Sequence, residues 1–282
     1  MDINFVFTIA CIAFGLIIGS FLNVVIYRLP IILKSDYEKS CFEYFHHQLV
    51  TKHQRINLAT PPSYCPCCQA AITWWQNIPI LSYLILRGKC YHCKKPISLR
   101  YLIVEILSCV TTIVVVIHFG IQVKTFPVLI LTWMLIAAVF IDLEQQLLPD
   151  HITLPLIWLG LLLNTNNIFT SPQNAIVGAT AGYLSLLIIT KIFKLIRKVN
   201  GMGHGDFKLL AVFGAWLGWQ FLPIIVLGSS LMGVIVGLAL VISKKHRFNQ
   251  PLAFGPYLAI SGWLAFFWGP SVMDCSRYLL LT

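Results

Sequence analysis

The sequence predicts an all-α polytopic membrane protein with about eight transmembrane helices and a small cytoplasmic insert. Three observations carry that expectation. Only 11% of the 282 residues are charged and 58% are hydrophobic, and the mean hydropathy is +0.81, beyond what a soluble chain of this length needs for its core. The apolar residues fall into repeated stretches close to the roughly 17–25 residues that span a bilayer. The basic residues, finally, are gathered into a few short segments between those stretches, as the positive-inside rule requires of cytoplasmic loops.

The eight candidate spans are 5–27, 101–119, 126–143, 149–164, 175–196, 207–221, 222–242 and 253–270. The fourth has the shortest apolar run and reads as a short or re-entrant piece. Residues 1–27 contain no Lys or Arg, and the first cation is Arg28. That order lacks the positive n-region of a cleaved signal peptide and predicts an anchor helix with its N-terminus outside. Eighteen of the twenty Lys/Arg lie in 28–100, 191–208 and 244–247, whereas the expected outer loops hold only Lys124 and Arg277. The formal charge of +10 therefore reports topology. It does not form the single basic face that nucleic-acid binding needs, so no nucleic-acid partner is expected. Three parts follow: an anchor at 1–27, an insert at 28–100 that reads as irregular from Lys34 to Ser63, and a helical membrane core at 101–282. Glycine pairs at spacing four (Gly15/Gly19, Gly178/Gly182, Gly214/Gly218, Gly233/Gly237) predict close helix packing.

The insert carries Cys65-x-x-Cys68, twenty-one intervening residues and Cys90-x-x-Cys93. In a reducing compartment two such knuckles point to a metal rather than to disulfides. Four thiolates suit a closed, structural tetrahedral zinc site with no position open for water. Cys67 leaves a second register open, and His92 is an alternative ligand. Cys11, Cys109 and Cys275 read as small apolar thiols in packed helices.

Of ten acidic residues, five lie at or inside membrane boundaries: Glu105, Asp142, Glu144, Asp150 and Asp206. A carboxylate at the centre of a spanning helix costs about 2.5–3.5 kcal/mol on insertion scales, so each needs a partner, water or a function. The expected topology brings Asp142, in "FIDLEQQLLPD", and Asp206, in "GMGHGDFKLL", to the inner boundary from distant parts of the chain. Two close carboxylates share one proton, and such a pair can activate water against a peptide carbonyl. Glycines around Asp206 would let an extended strand approach. The competing reading makes Asp206 a boundary acid that is merely solvated or paired with Lys208. Glu144 reads as a solvated loop residue and Asp150 as the N-cap of the next helix.

"GSFLNVVIYRLP" (19–30), "NLATPPSYCPCC" (57–68), "WWQNIPILSYLILRGKC" (74–90), "ISLRYLIVE" (97–105), "FIDLEQQLLPD" (140–150), "GMGHGDFKLLAVFGAWLGW" (201–219) and "AFGPYL" (253–258) together resemble the type IV prepilin peptidase family. The resemblance covers nearly the whole chain in order. It implies an aspartic peptidase of the bacterial inner membrane, with Asp142 and Asp206 as the catalytic pair. It further implies substrates that are type IV prepilins or pseudopilins, cleaved on the cytoplasmic side. N-methylation of the new terminus with S-adenosylmethionine would follow, and this second function is placed in the zinc-type insert. Gly88, Asn23, Arg28 and Glu105 are the candidates for the methyl-donor and amine site, with packing, capping or charge pairing as the competing reading of each. Some relatives lack the cysteines and do not methylate, which leaves a leader peptidase without methyltransferase activity as an alternative. A proton- or ion-coupled transporter is the alternative from another class. His204 replaces a commoner aromatic and is expected to face solvent. Ala253 replaces a commoner proline.

Overall fold

The computed structural model describes residues 3–44, 57–198, 202–243 and 252–281. Gly201, the cations at 244–247 and the stretch 45–56, whose local sequence supports no assignment, lie outside the described residues, as does the side chain of Cys275. Among the described residues the chain is helical apart from turns and two isolated antiparallel bridges. Five helical segments are long and apolar enough to cross a membrane: Ile9–Cys41, Leu99–Phe119, Thr125–Gln145, Pro172–Arg197 and Trp219–Ile242. The chain thus reads as a multi-pass membrane protein by length and composition. The remaining three expected spans are helices at the expected places but fall outside this set. Two are short: Asp150–Asn164 has 15 residues and His204–Leu217 has 14, about 22 and 21 Å against a hydrocarbon core of about 30 Å. The third, Gly255–Leu281, is diluted by Ser261, Gly262, Gly269, Pro270 and Asp274.

Two compact units divide the chain, Met1–Ala137 and Ala138–Thr282. In the first, helix α1 (Ile3–Tyr44) runs through Pro30 and well beyond the expected anchor. Residues 34–44 are polar but contain no Gly or Pro, and Asp36 pairs with Lys39 at 3.3 Å, so the helix continues where the sequence reads as irregular. A short helix, α2 (Leu81–Ile85), lies within the insert. Helix α3 (Leu99–Phe119) is capped by Ser98, whose hydroxyl accepts from the Arg100 N–H. Gly15 and Gly19 put α1 against the α3 backbone: Cβ atoms there would lie 2.8 Å from Cys109 Cα and 2.7 Å from Glu105 Cα. Ser108 donates to the Gly15 carbonyl at 2.8 Å across this contact.

Helix α4 (Thr125–Gln145) ends in the second unit, followed by α5 (Asp150–Asn164), α6 (Pro172–Arg197), α7 (His204–Leu217), α8 (Leu222–Ile242) and α9 (Gly255–Leu281). The axis of this unit is α7, buried from Asp206 to Leu217 except at Lys208. Gly178 and Gly214 bring α6 and α7 into backbone contact, and Gly182 lies against the Leu210 carbonyl. Trp216 donates from Nε1 to the Leu156 carbonyl at 2.8 Å, tying α7 to α5. Buried Asn164 uses its whole amide: Nδ2 donates to Ala215 and Trp216 carbonyls, and Oδ1 accepts from Phe169 and Thr170. This lock fixes the C-terminal end of α7, the helix that carries Asp206 in its first turn. The expectation of close packing fails for Gly233 and Gly237, where an added Cβ would meet only side-chain atoms of Tyr257 and Leu252, at ordinary contact distances of 3.6 and 3.8 Å. Gly218 keeps the close approach, its carbonyl carbon 2.9 Å from where a Cβ on Gly178 would lie, and also adopts φ +91° at the end of α7, a conformation that suits glycine.

Candidate active site

Asp142 occupies the last turn of α4, and Asp206 is the third residue of α7. Both are buried, 6% and 7% exposed, and they are close enough for the charge of Asp142 to act on Asp206. Two acids 64 positions apart in the chain thus meet inside one compact unit. Each is framed by glycine. Gly203 N–H faces the Asp206 carboxylate, as an acid at N3 of a helix reaches back to the N-cap. Gly255, the first residue of α9, presents its N–H to the Asp142 carboxylate. A Cβ on Gly255 would lie 2.5 Å from Asp142 Oδ2. That same Oδ2 accepts no hydrogen bond from any described residue. A buried carboxylate oxygen left open costs free energy unless a proton, water or ligand uses it.

The structure decides against the pairing of Asp206 with Lys208. Lys208 reaches instead to Asp150, with Nζ 2.5 Å from Oδ1. Asp150 is therefore not an N-cap: Pro149 takes that position, and Asp150 opens the first turn of α5. Glu144 is exposed but sits in the last turn of α4 rather than in a loop. His204 is exposed, its ring edge-on to Phe207 at 5.3 Å between centroids. Two residues at the acids carry no signal by type, Gly255 and Leu148. Leu148 is buried against Gly205 and Gly255. The stretches containing them resemble the family, but nothing in a lone Gly or Leu announces which carboxylate it will touch.

In the first unit Cys65, Cys68, Cys90 and Cys93 place their four Sγ atoms within 4.8 Å of one another, an arrangement that can hold a metal ion. The two knuckles are built alike. Cys65 N–H donates to Ala70 and Gln69 N–H to Cys65; Cys90 N–H donates to Lys95 and Lys94 N–H to Cys90. The turns close through positive φ at Gln69 and Lys94. Sγ separations are 3.9 Å for Cys65 and Cys93 and 4.0 Å for Cys68 and Cys90. Backbone N–H groups of Cys93 and then His92 bring the Cys90 thiol down to about 6, so that it is readily a thiolate. Cys67 and His92 are exposed and lie outside this group.

The other candidates of this unit are built into its frame. Arg28 is 6% exposed and donates to the carbonyls of Asn57, Leu58 and Pro61 at 3.0, 3.2 and 2.6 Å. Glu105 accepts from Ile80 N–H at 2.8 Å. Asn23 donates to the Tyr101 carbonyl at 3.0 Å, and its buried Oδ1 has no described partner. Gly88 takes φ +67° under Tyr83. Asn23 and Glu105 lie along the α1–α3 contact, Arg28 clamps 57–61, and Gly88 sits in the turn before Cys90.

The Bacterial Peptidase A24 N-terminal domain matches residues 13–119, and the Type IV leader peptidase family matches residues 129–238. A prepilin leader peptidase/N-methyltransferase of Legionella pneumophila is 48% identical over 93% of this chain and 91% of its own. One of Aeromonas hydrophila is 48% identical over 92% and 90%. The chain belongs to the type IV leader peptidase family. A further prepilin leader peptidase/N-methyltransferase, from Dichelobacter nodosus, is 43% identical over 94% of this chain and 93% of its own. No solved structure matches. Within this leader peptidase, the second family match covers both Asp142 and Asp206, and the first covers all four clustered cysteines.

Proposed function

We propose that this leader peptidase removes the leader from type IV prepilins or pseudopilins with Asp142 and Asp206 as its catalytic pair, and N-methylates the new terminus. The observation that supports the pair is the buried approach of the two carboxylates with Asp142 Oδ2 left open. With one proton shared, the ionised member takes a proton from water as that water attacks the scissile carbonyl. The protonated member donates to the carbonyl oxygen, and collapse of the tetrahedral intermediate releases the amine with a proton returned from the pair. Protonation belongs to the pair rather than to either acid. Gly203, where an added Cβ would meet only Asp206 Oδ2 at 3.8 Å, leaves room for an extended substrate backbone beside that acid. The cation asymmetry supports an N-terminus outside and the inner ends of α4 and α7 on the cytoplasmic side of the bacterial inner membrane, with lipid against the apolar spans.

The four thiols fit zinc. Tetrahedral Zn–S bonds of about 2.3 Å put sulfurs about 3.8 Å apart, and the Cys65–Cys93 and Cys68–Cys90 separations are 3.9 and 4.0 Å. Such a site is closed and holds the insert together without entering the hydrolysis. The methyl donor, S-adenosylmethionine, supplies an electrophilic methyl group. Gly88, Asn23, Arg28 and Glu105 are proposed around it, and they fit in part. Asn23 Oδ1 has acceptor capacity to spare, while Arg28 and Glu105 act by holding 57–61 and Ile80 in place.

The test is mass spectrometry of a synthetic prepilin incubated with the purified enzyme in detergent. Asp142→Asn and Asp206→Asn are each expected to abolish leader loss while methylation of a pre-cleaved pilin peptide continues. Cleavage surviving either change refutes the pair.

A further inference from the structure

A catalytic pair carried on two helices has to be held at a fixed separation, within about 0.5 Å for productive geometry. Here the pair is not held through Asp142 Oδ2, which accepts no hydrogen bond from any described residue. The spacing must come from neighbours, and the segment after α4 supplies them. It leaves the helix at Gln146, with φ +51°, and reaches α5 through Pro149, whose ring fixes φ at −66°. Between them Leu148, 8% exposed, fits against both helix starts at the site. A Cβ on Gly205 would lie 2.5 Å from Leu148 Cβ, and one on Gly255 3.0 Å from Leu148 Cδ1. One residue past Pro149, Asp150 Oδ1 meets Lys208 Nζ at 2.5 Å.

We infer that Leu148 and the Asp150–Lys208 pair are positioning residues, a two-point clamp that sets the separation of Asp142 and Asp206. The inference rests on the proposed catalytic pair. Asp150 lies eight residues beyond Asp142 and Lys208 two beyond Asp206, so the ion pair links the chain just past one acid to the chain just past the other. Leu148, on the same segment as Asp150, is the apolar wedge against the starts of α7 and α9. The side chains of Lys208 and Asp150 are 23% and 52% exposed, so the link adds little to global stability. Its consequence is geometric, because a displacement of about 1 Å at reacting groups costs on the order of 10²-fold in rate.

The test uses the full-length enzyme in detergent, with steady-state cleavage of a prepilin and methylation of a pre-cleaved peptide measured side by side. Asp150→Asn and Lys208→Gln are each expected to lower kcat for cleavage about tenfold or more, with KM within about twofold and methylation unchanged. Asp150→Glu and Lys208→Arg are expected to recover most of that loss. The double change Asp150→Asn/Lys208→Gln is expected to be no worse than the worse single, as for residues acting as one link. Leu148→Ala is expected to lower kcat by a similar factor. Unchanged kcat in both ion-pair variants overturns the clamp. So does a parallel loss of methylation, which would mark a general folding defect, or additive losses in the double variant. Asp142→Asn is assayed alongside: if it cleaves, the catalytic pair itself has failed, and if it is inactive while Asp150→Asn is unimpaired, only the clamp has.

Discussion

Gly255→Ala adds a single methyl group at the most sensitive point of the site. The backbone there needs no glycine, since Gly255 opens a helix without a positive φ, and alanine is the better helix former. The steric consequence is nonetheless severe: the new Cβ falls 2.5 Å from Asp142 Oδ2 and 3.0 Å from Leu148 Cδ1. Restoring ordinary contact at 3.4 Å requires a shift of about 0.9 Å between Asp142 and α9. Asp142 is buried, so the shift either swings its carboxylate out of line with Asp206 or pushes α9 away and opens the site to water. A misplacement near 1 Å costs about 10²-fold in kcat, equivalent to about 2.7 kcal/mol of transition-state stabilisation. The assay is single-turnover cleavage of a prepilin, with methylation of a pre-cleaved peptide as the measure of intact folding. Cleavage within threefold of wild type would mean that Asp142 does not work from the position described, and the steric reasoning would be refuted.

Two further outcomes follow from the packing and the cysteine group. Cys68→Ser is expected to drop bound zinc well below one equivalent and to open the insert to proteolysis, because three thiolates leave the site incomplete; metal analysis showing one full equivalent would exclude the four-thiolate site. Gly214→Ala is expected to destabilise the protein by about 1–3 kcal/mol or more, since its Cβ would strike the Gly178 backbone and force α6 from α7. Gly233→Ala, with Tyr257 at 3.6 Å, is expected to leave the thermal midpoint unchanged or slightly raised. Equal midpoints for the two variants would refute the close α6–α7 contact.

Much of this molecule is legible in one dimension because the responsible forces are local. Long apolar runs must become helices in lipid, where every backbone polar group has to be satisfied within its own segment, and helices appear at all eight expected places. Paired CxxC knuckles foretell through spacing alone a group of four thiols that can hold a metal ion. The glycine pairs at 15/19 and 178/182 likewise foretell contact, because a missing side chain has few uses in a buried helix.

What required the fold is everything that depends on a partner distant in the chain. Nothing in the sequence distinguishes Gly233, which packs loosely, from Gly214, which touches another backbone. Lys208 stands two residues from Asp206 yet gives its charge to Asp150, because a helix turns neighbours at that spacing to different faces. The polar stretch 34–44 remains helical because no breaker interrupts it. The acids could be read from their cost in an apolar chain and their shared boundary from the topology; the open oxygen on Asp142 and the roles of Gly255 and Leu148 could not. Burial and spacing are collective properties of packed helices, and no residue type encodes them.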